Sequence, residues 1–521
     1  MKELVYHRSL LPAAARHAGD LAVVDGDFTA TYGQHADRVL RLADGMRREL
    51  GIEHEDRYAV MAFNSHEYLE LYHAGFLGAG VVNPLNLRLA PLELEYILQN
   101  SGTKVVFADF FFAPLIDSVR ANTDVEKIVL VGAEIAGDVP HDARFDDVLA
   151  AGEPVVPPEP EEDDAVILMY TGGTTGLPKG VVIDSRAAIL DMYKIAAAFA
   201  FDDSYVYLHQ TPMFHAASFG GILTIPASGG VTTFVPVFDP AKVLDAIEAH
   251  QVSTTVMVPT MIQMLLDHPS FAPERLASMR ALVYGASPMP TPLLERLLAL
   301  YPNLDVYQGY GMTENCGLLT VLRPEDHRAG GDRLRSAGRP VLGAEVTIRD
   351  ADGSDVPPGE SGEVCARSGN FMREYWQQPE QTAQAFEGGW YHTGDAGYLD
   401  EQGYLFLVDR VKDMIVTGGE NVYSAEVENA IASHPAVVQV AAIGIPSEKW
   451  GEAVHAVVVV EPDAEVTADD IVDWARQRIA GYKVPKSVEL RTEPLPLSGA
   501  MKVLKRELRA PYWEGQDRGV G

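Results

Sequence analysis

Cysteine is nearly absent from this sequence of 521 residues: Cys316 and Cys365 stand far apart, with no CxxC spacing. That excludes a disulfide scaffold and a thiolate metal site, and it fits a reducing compartment. Uninterrupted apolar runs of membrane-spanning length are also missing, and the N-terminal stretch is broken by His7, Arg8, Arg16 and Asp20. No integral membrane segment is expected, and the chain reads as a cytoplasmic protein. Basic residues are scarce: 41 Lys and Arg against 74 Asp and Glu leave a formal charge of −33. This argues against nucleic acid or an anionic membrane as the partner. The same field repels phosphate, so a nucleotide site has to rest on aimed backbone N–H groups, a few basic side chains and a divalent cation.

What is present is α/β texture. Short apolar runs alternate with helical patterns, as in Tyr58 to Phe63 followed by the stretch from Leu69 to Leu77. Ala281 to Tyr284 reads as a buried strand that ends in the turn Gly285-Ala286-Ser287, and Leu293, Leu294, Leu297 and Leu298 form a helical stripe behind it. The Pro- and acid-rich stretch from Glu153 to Asp164 reads as a surface connection. A hairpin turning at Asp400 to Gly403 precedes a domain boundary near Asp409 to Asp413. Beyond it, a helix capped by Ser424, strands near Val437 to Ile443 and Ala453 to Val460, and a helix opened by Thr467 with Asp470 form a compact α+β unit. The expected architecture is a large N-terminal domain of mixed α/β sheets, residues 1–410, and a small mobile α+β C-terminal domain, 411–521.

The chemistry concentrates first in Val166 to Ile183. A strand runs into Thr171, Gly172, Gly173, Thr174, Thr175 and Gly176, then reaches Lys179 and a second strand. Glycines let N–H groups converge on an anion, threonines add hydroxyl donors and Lys179 adds charge, which makes a phosphate cradle. The spacing is not that of a Walker A loop, because Gly180 follows the lysine and a strand, not a helix, comes next. On composition alone, an ordinary Gly-rich hairpin stays open.

Further segments follow in order: Gln308-Gly-Tyr-Gly-Met-Thr-Glu314, Tyr391-His-Thr-Gly-Asp395, Asp409-Arg-Val-Lys-Asp413 and Gly418-Gly-Glu-Asn-Val-Tyr423. Together with the cradle, this set resembles the adenylate-forming enzymes, which include acyl-CoA synthetases, peptide-synthetase adenylation domains and firefly luciferase. The resemblance spans nearly the whole chain. It implies that Gly285, Ala286, Ser287, Gln308, Gly309, Tyr310 and Gly311 line the nucleotide site, with Tyr310 near adenine. It further implies that Thr313 contacts the α-phosphate, Glu314 holds Mg²⁺, and Asp395 and Arg410 bind the ribose. These jobs suit the residue types, since a carboxylate accepts two hydroxyl hydrogen bonds well and Mg²⁺ prefers hard oxygen ligands. Gly173 stands where the family more usually has serine.

Pro494 to Lys505 resembles the loop that carries the family's adenylation lysine. The match falls on Lys502, with Lys505 as the fallback, and Met501 stands where glycine is usual. His215 sits at the position of an aromatic gate beside the acyl carboxylate, where amino-acid-activating relatives carry aspartate, so an α-amino acid substrate is not expected. By position, His215, Ala217, Gly220, Met312 and Cys316 belong to the acyl pocket, together with Gly285, Ala286 and Gly309. Lys412 would be the hinge, and Gly418, Gly419 and Glu420 would face the thiol.

The resemblance implies a ligase that uses ATP, Mg²⁺ and coenzyme A to activate a small-molecule carboxylic acid through an acyl-adenylate, most simply a medium- or long-chain fatty acid. Aryl or alicyclic acids and a separate carrier protein stay open, as does a homodimer. A luciferase-type oxygenase would need O₂ access to a carbanion, which nothing in the sequence reports. A non-catalytic nucleotide or acyl-CoA sensor is the reading from another class, and Met501 is the one residue that favours it.

Overall fold

The computed structural model describes residues 2–132, 139–171, 178–410, 414–417, 420–447, 449–499 and 501–514. Among these residues the strands form four sheets. The largest has nine strands, and its central run is parallel: Asp305–Tyr310, Ala281–Gly285, Thr254–Met257, Val206–His209, Val231–Phe234 and Leu21–Asp25. These strands read as near-continuous apolar runs because both faces are covered; Ala281–Gly285 is buried at every residue. An eight-stranded sheet contains Ala165–Thr171 antiparallel to Lys179–Asp184, with Val81–Pro84, Arg57–Met61 and Val105–Asp109 parallel beside them. A four-stranded antiparallel sheet joins Ala344–Arg349, Gly362–Ser368, Tyr391–Leu399 and Leu405–Arg410.

The fourth sheet is built from Glu420–Val422, Ile415–Thr417, Gly451–Val460, Val437–Ser447 and Ser487–Arg491. It has its own apolar cluster around Ile415, Val427, Ile431, Val454, Val458 and Ile471. The expected plan of large mixed α/β sheets followed by a small α+β unit is therefore observed. Among the described residues, no helix is long and apolar enough to cross a membrane.

Local expectations hold where the signal was local. Asp400 turns the chain at Gly403 with a 3.0 Å backbone bond, residues 153–161 carry no helix or strand, and Thr467 forms a capping box with Asp470. Ser424 is a correction. It is the first residue of helix Ser424–Ala432, whose N-cap is Tyr423, and its hydroxyl accepts from Lys505 Nζ at 2.5 Å. The side chain is used by a residue eighty-one positions away, which no local pattern could report.

Candidate active site

Parallel strands deliver their carboxyl ends to one edge of the nine-stranded sheet, where ligands of open α/β sheets gather. The loop after Val206–His209 brings His215, the turn after Thr254–Met257 brings Val258 and Thr260, the end of Ala281–Gly285 brings Ala286 and Ser287, and Asp305–Tyr310 leads to Gly311, Met312, Thr313 and Glu314. All of these line one cavity of about 1890 Å³. Its wall also includes Thr171, Lys179, Gly285, Gln308, Gly309, Tyr310, Ala217, Gly220, Asp395 and Lys502. Four parallel strands bring the first set together, while Thr171 and Lys179 come from the eight-stranded sheet, Asp395 from the four-stranded sheet and Lys502 from the C-terminal unit.

Thr171 and Lys179 face each other across the strand pair on either side of residues 172–178. Gly172, Gly173, Thr174, Thr175 and Gly176 lie outside the described residues, as do Lys412, Gly418 and Gly419. The side chains of Arg410 and Glu420 are likewise outside that description; the backbone of Arg410 stands directly opposite Asp395 in the antiparallel pair.

Acidic groups are held by neutral donors. Tyr310 donates to Asp395 Oδ2 at 2.7 Å, and Tyr375 donates to Glu314 Oε1 at 3.0 Å, with its oxygen 3.2 Å from the Tyr391 hydroxyl. The Lys179 ammonium lies 4.9 Å from the centre of the Tyr375 ring. Glu314 is anchored through its backbone too, where its carbonyl accepts from Met372 N–H at 2.6 Å. The turn before Asp395 hangs on Glu363: one carboxylate oxygen accepts from Gly394 N–H at 3.1 Å and the other meets His392 Nδ1 at 2.8 Å. A carboxylate on the cavity wall that accepts from a phenol has lone pairs to spare, and that donor chemistry fits a hard cation such as Mg²⁺.

His215 is half-buried on the wall. Desolvation, and then the nearby Lys502 ammonium, depress its pKa to about 3, so the ring is neutral at ordinary pH. Its loop is fixed from beneath by Asn64, whose side-chain Oδ1 accepts from Met213 N–H at 2.9 Å, and by Tyr72, which donates to Met213 O at 2.8 Å.

Lys502 enters from the C-terminal unit on a tight loop in which Ser498 N–H donates to Lys502 O at 2.7 Å and Met501 N–H donates to Ser498 O at 2.9 Å. Arg88 grips this loop at Leu497 O (2.6 Å) and Thr260 at Met501 O (2.7 Å). Met501 has φ +60°, so the left-handed backbone that glycine would adopt freely is kept at a cost of roughly 1–2 kcal/mol. Lys505 is engaged elsewhere: its ammonium is 2.7 Å from Glu428 and bonded to Ser424. The geometry separates the two candidate lysines, with Lys502 set beside His215 and Lys505 tied within its own unit.

The small residues of the expected acyl pocket divide. A Cβ on Gly285 would lie 2.1 Å from Gly309 O, so this glycine is required by packing, as is Gly311 of the expected nucleotide site, whose added Cβ would lie 2.2 Å from Gly317 O. Gly220 is different, since the nearest atom to an added Cβ is 3.6 Å away on Ile195. Cys316 is a correction. It is fully buried and off the cavity wall, because the left-handed turn at φ +60° sends its side chain inward. The turn is held there by Asn370, which donates to Asn315 O at 2.8 Å, Leu318 O at 3.2 Å and Asp191 at 2.9 Å.

Reading the sequence alone missed Tyr375, Glu363, Asn64 and Thr260. Each acts through a partner remote in the chain, and none stands in a segment whose local pattern marks it.

Comparison with known proteins identifies the family. Residues 11–376 match the profile of the AMP-binding enzyme family, and residues 426–502 match the AMP-binding enzyme C-terminal domain. The chain is 38% identical to a feruloyl-CoA synthase of Amycolatopsis over 94% of this chain and 96% of that protein. It is also 38% identical to a long-chain-fatty-acid–CoA ligase of Mycobacterium tuberculosis, over 93% and 94%. Among solved structures, the o-succinylbenzoate coenzyme A synthetase of Bacillus subtilis in complex with ATP and magnesium ion superposes with a TM-score of 0.82 at 29% identity, covering 96% of this chain and 98% of that one. With two profiles matched in order and relatives aligned over nearly its whole length, the chain belongs to the AMP-binding enzyme family, the adenylate-forming superfamily.

Proposed function

We propose that this chain is an AMP-forming acid–thiol ligase that joins a carboxylic acid to AMP from ATP and passes the acyl group to coenzyme A. The observation that carries the reading is the meeting of Lys502 with His215, Thr313, Glu314 and Asp395 on one wall. The substrate carboxylate attacks the α-phosphorus in line and pyrophosphate leaves. Lys502 bridges the two anions and neutralises charge as it builds, Thr313 donates to the α-phosphate, and neutral His215 flanks the acyl carboxylate without adding charge. Asp395 and Arg410 hold the ribose, Tyr310 lies by adenine, and the loop 171–179 cradles the departing phosphates. Glu314 would hold Mg²⁺, which supplies charge neutralisation at the phosphates when bound. In the second step the CoA thiol attacks the mixed anhydride and AMP leaves, so no protein nucleophile is needed.

The domains on this reading are 1–410 and 411–521, with Lys412 as the hinge and Gly418, Gly419 and Glu420 turned to the thiol in the second step. Separate arrangements let one site serve two transition states.

The acid is a medium- or long-chain fatty acid. Ile195, Phe199, Phe201, Tyr207, Val256 and Leu318 line the cavity and belong to, or pack against, one apolar cluster, which supports a deep uncharged arm for an apolar tail. The three aromatic rings among them favour an aryl acid as the second reading, in line with the name of the feruloyl-CoA synthase relative. The test is ATP- and Mg²⁺-dependent pyrophosphate release across fatty, aryl and amino acids, with and without CoA, for wild type and Lys502→Ala. Release with an apolar acid, lost in the variant while supplied acyl-AMP still yields thioester, is expected. Absence of release with every acid while ATP still binds would leave a nucleotide sensor instead.

A further inference from the structure

Met501 occupies a left-handed conformation that disfavours side chains, directly before the lysine that reaches the cavity. A residue kept where its backbone is strained calls for a compensating contact, and the structure supplies two. The Met501 side chain packs against the apolar cluster of the large domain that includes Val258, Met261 and Ile262. Its carbonyl accepts the Thr260 hydroxyl at 2.7 Å. Thr260 lies in the first turn of helix Pro259–Leu266, and the same helix supplies Met261, Ile262, Leu265 and Leu266 to that cluster.

We propose that Met501 is a positioning residue, a latch whose thioether side chain, seated on that apolar cluster, holds the Lys502 loop in the cavity for the adenylation step. A glycine would allow the same backbone turn but would offer nothing to seat. The latch therefore biases the chain toward the arrangement in which Lys502 faces His215, and it must be broken before that lysine can withdraw. This deepens the ligase reading and rests on it.

The backbone requirement and the side-chain contact can be separated. Met501→Gly and Met501→Asn both tolerate the left-handed turn and remove the apolar contact, whereas Met501→Leu keeps it. Loss of a half-buried methionine contact corresponds to about a tenfold change in population. The Gly and Asn variants should release pyrophosphate about tenfold more slowly at saturating ATP and acid, should convert supplied acyl-AMP and CoA to thioester at the wild-type rate or faster, and should be rescued by Leu.

The second readout does not depend on activity: trypsin cleavage after Lys502, followed by mass spectrometry, should be about tenfold faster in the Gly and Asn variants than in wild type and Met501→Leu. Wild-type adenylation and wild-type cleavage in the Gly and Asn variants would overturn the latch, and so would equal loss of both half-reactions. If wild type releases no pyrophosphate with any acid, the ligase reading fails, and the cleavage comparison still decides whether Met501 holds the loop.

Discussion

The Tyr310 hydroxyl donates to Asp395 Oδ2 at 2.7 Å, and in doing so it ties the end of a strand in the nine-stranded sheet to a strand of the four-stranded sheet. Both side chains are only 8% exposed, so the bond is shielded from water and orients the carboxylate toward the cavity. Tyr310→Phe keeps the ring and removes the donor. The KM for ATP should rise about fivefold to tenfold with a smaller change in kcat, the size of a lost hydrogen bond to a charged acceptor. Initial-rate measurements at varied ATP check this, and an unchanged KM would refute the orienting role.

Tyr375 stands in the same relation to Glu314, donating at 3.0 Å. Without that donor the carboxylate is less well placed for a hard cation. Tyr375→Phe should raise the Mg²⁺ concentration for half-maximal pyrophosphate release by about threefold to tenfold. A magnesium titration at fixed ATP reads the shift.

Lys505 is bound to Glu428 and Ser424 within the C-terminal unit. Lys505→Ala should therefore cost stability, about 2 kcal/mol, measured by urea unfolding. Adenylation should stay within about threefold of wild type. A collapse of adenylation with stability intact would transfer the catalytic assignment from Lys502.

Acid sensitivity follows from buried neutral imidazoles. His73 is fully buried and its pKa is lowered to about 4; His209 is 1% exposed and lowered to about 3. Desolvation is the main cause in both. Because the folded values lie below the unfolded value near 6.5, the unfolded chain binds protons first as pH falls. Stability is then complete above about pH 6.5 and is lost progressively down to the folded values. At pH 5 each group costs about 2 kcal/mol. His209 stacks on Phe234 with centroids 5.3 Å apart, so His209→Phe should fold and should lessen the dependence between pH 6.5 and 5 by about 2 kcal/mol. Unfolding midpoints across that range give the slope, and an unchanged slope would exclude His209 as a contributor.

Parts of the site were legible because their signal is local. The strands on either side of the Gly- and Thr-rich segment, Ala165–Thr171 and Lys179–Asp184, follow from apolar runs interrupted by glycines, and the Asp400 turn follows from short-range turn chemistry. The order of the family segments carried the superfamily assignment, since agreement of several short motifs at their spacing is not a matter of folding at all. Cys316 was not legible. Its neighbours in the sequence line the cavity, and only the φ +60° turn held by Asn370 sends it to the core. The glycines were equally ambiguous, because the approach of Gly309 O to Gly285 depends on which strands are adjacent.

The sequence by itself determined the superfamily, the α/β plan and the residue types available for binding phosphate, ribose and metal, because these rest on composition, periodicity and motif spacing within short stretches. Only the tertiary structure decided which lysine lies beside His215 and which is tied to Glu428 and Ser424, which phenol holds Glu314, which glycines make room and which merely pack, and how Met501 keeps a glycine-like turn. Those outcomes depend on contacts between residues tens to hundreds of positions apart, whose distances are set by strand order and packing and are encoded in no local pattern.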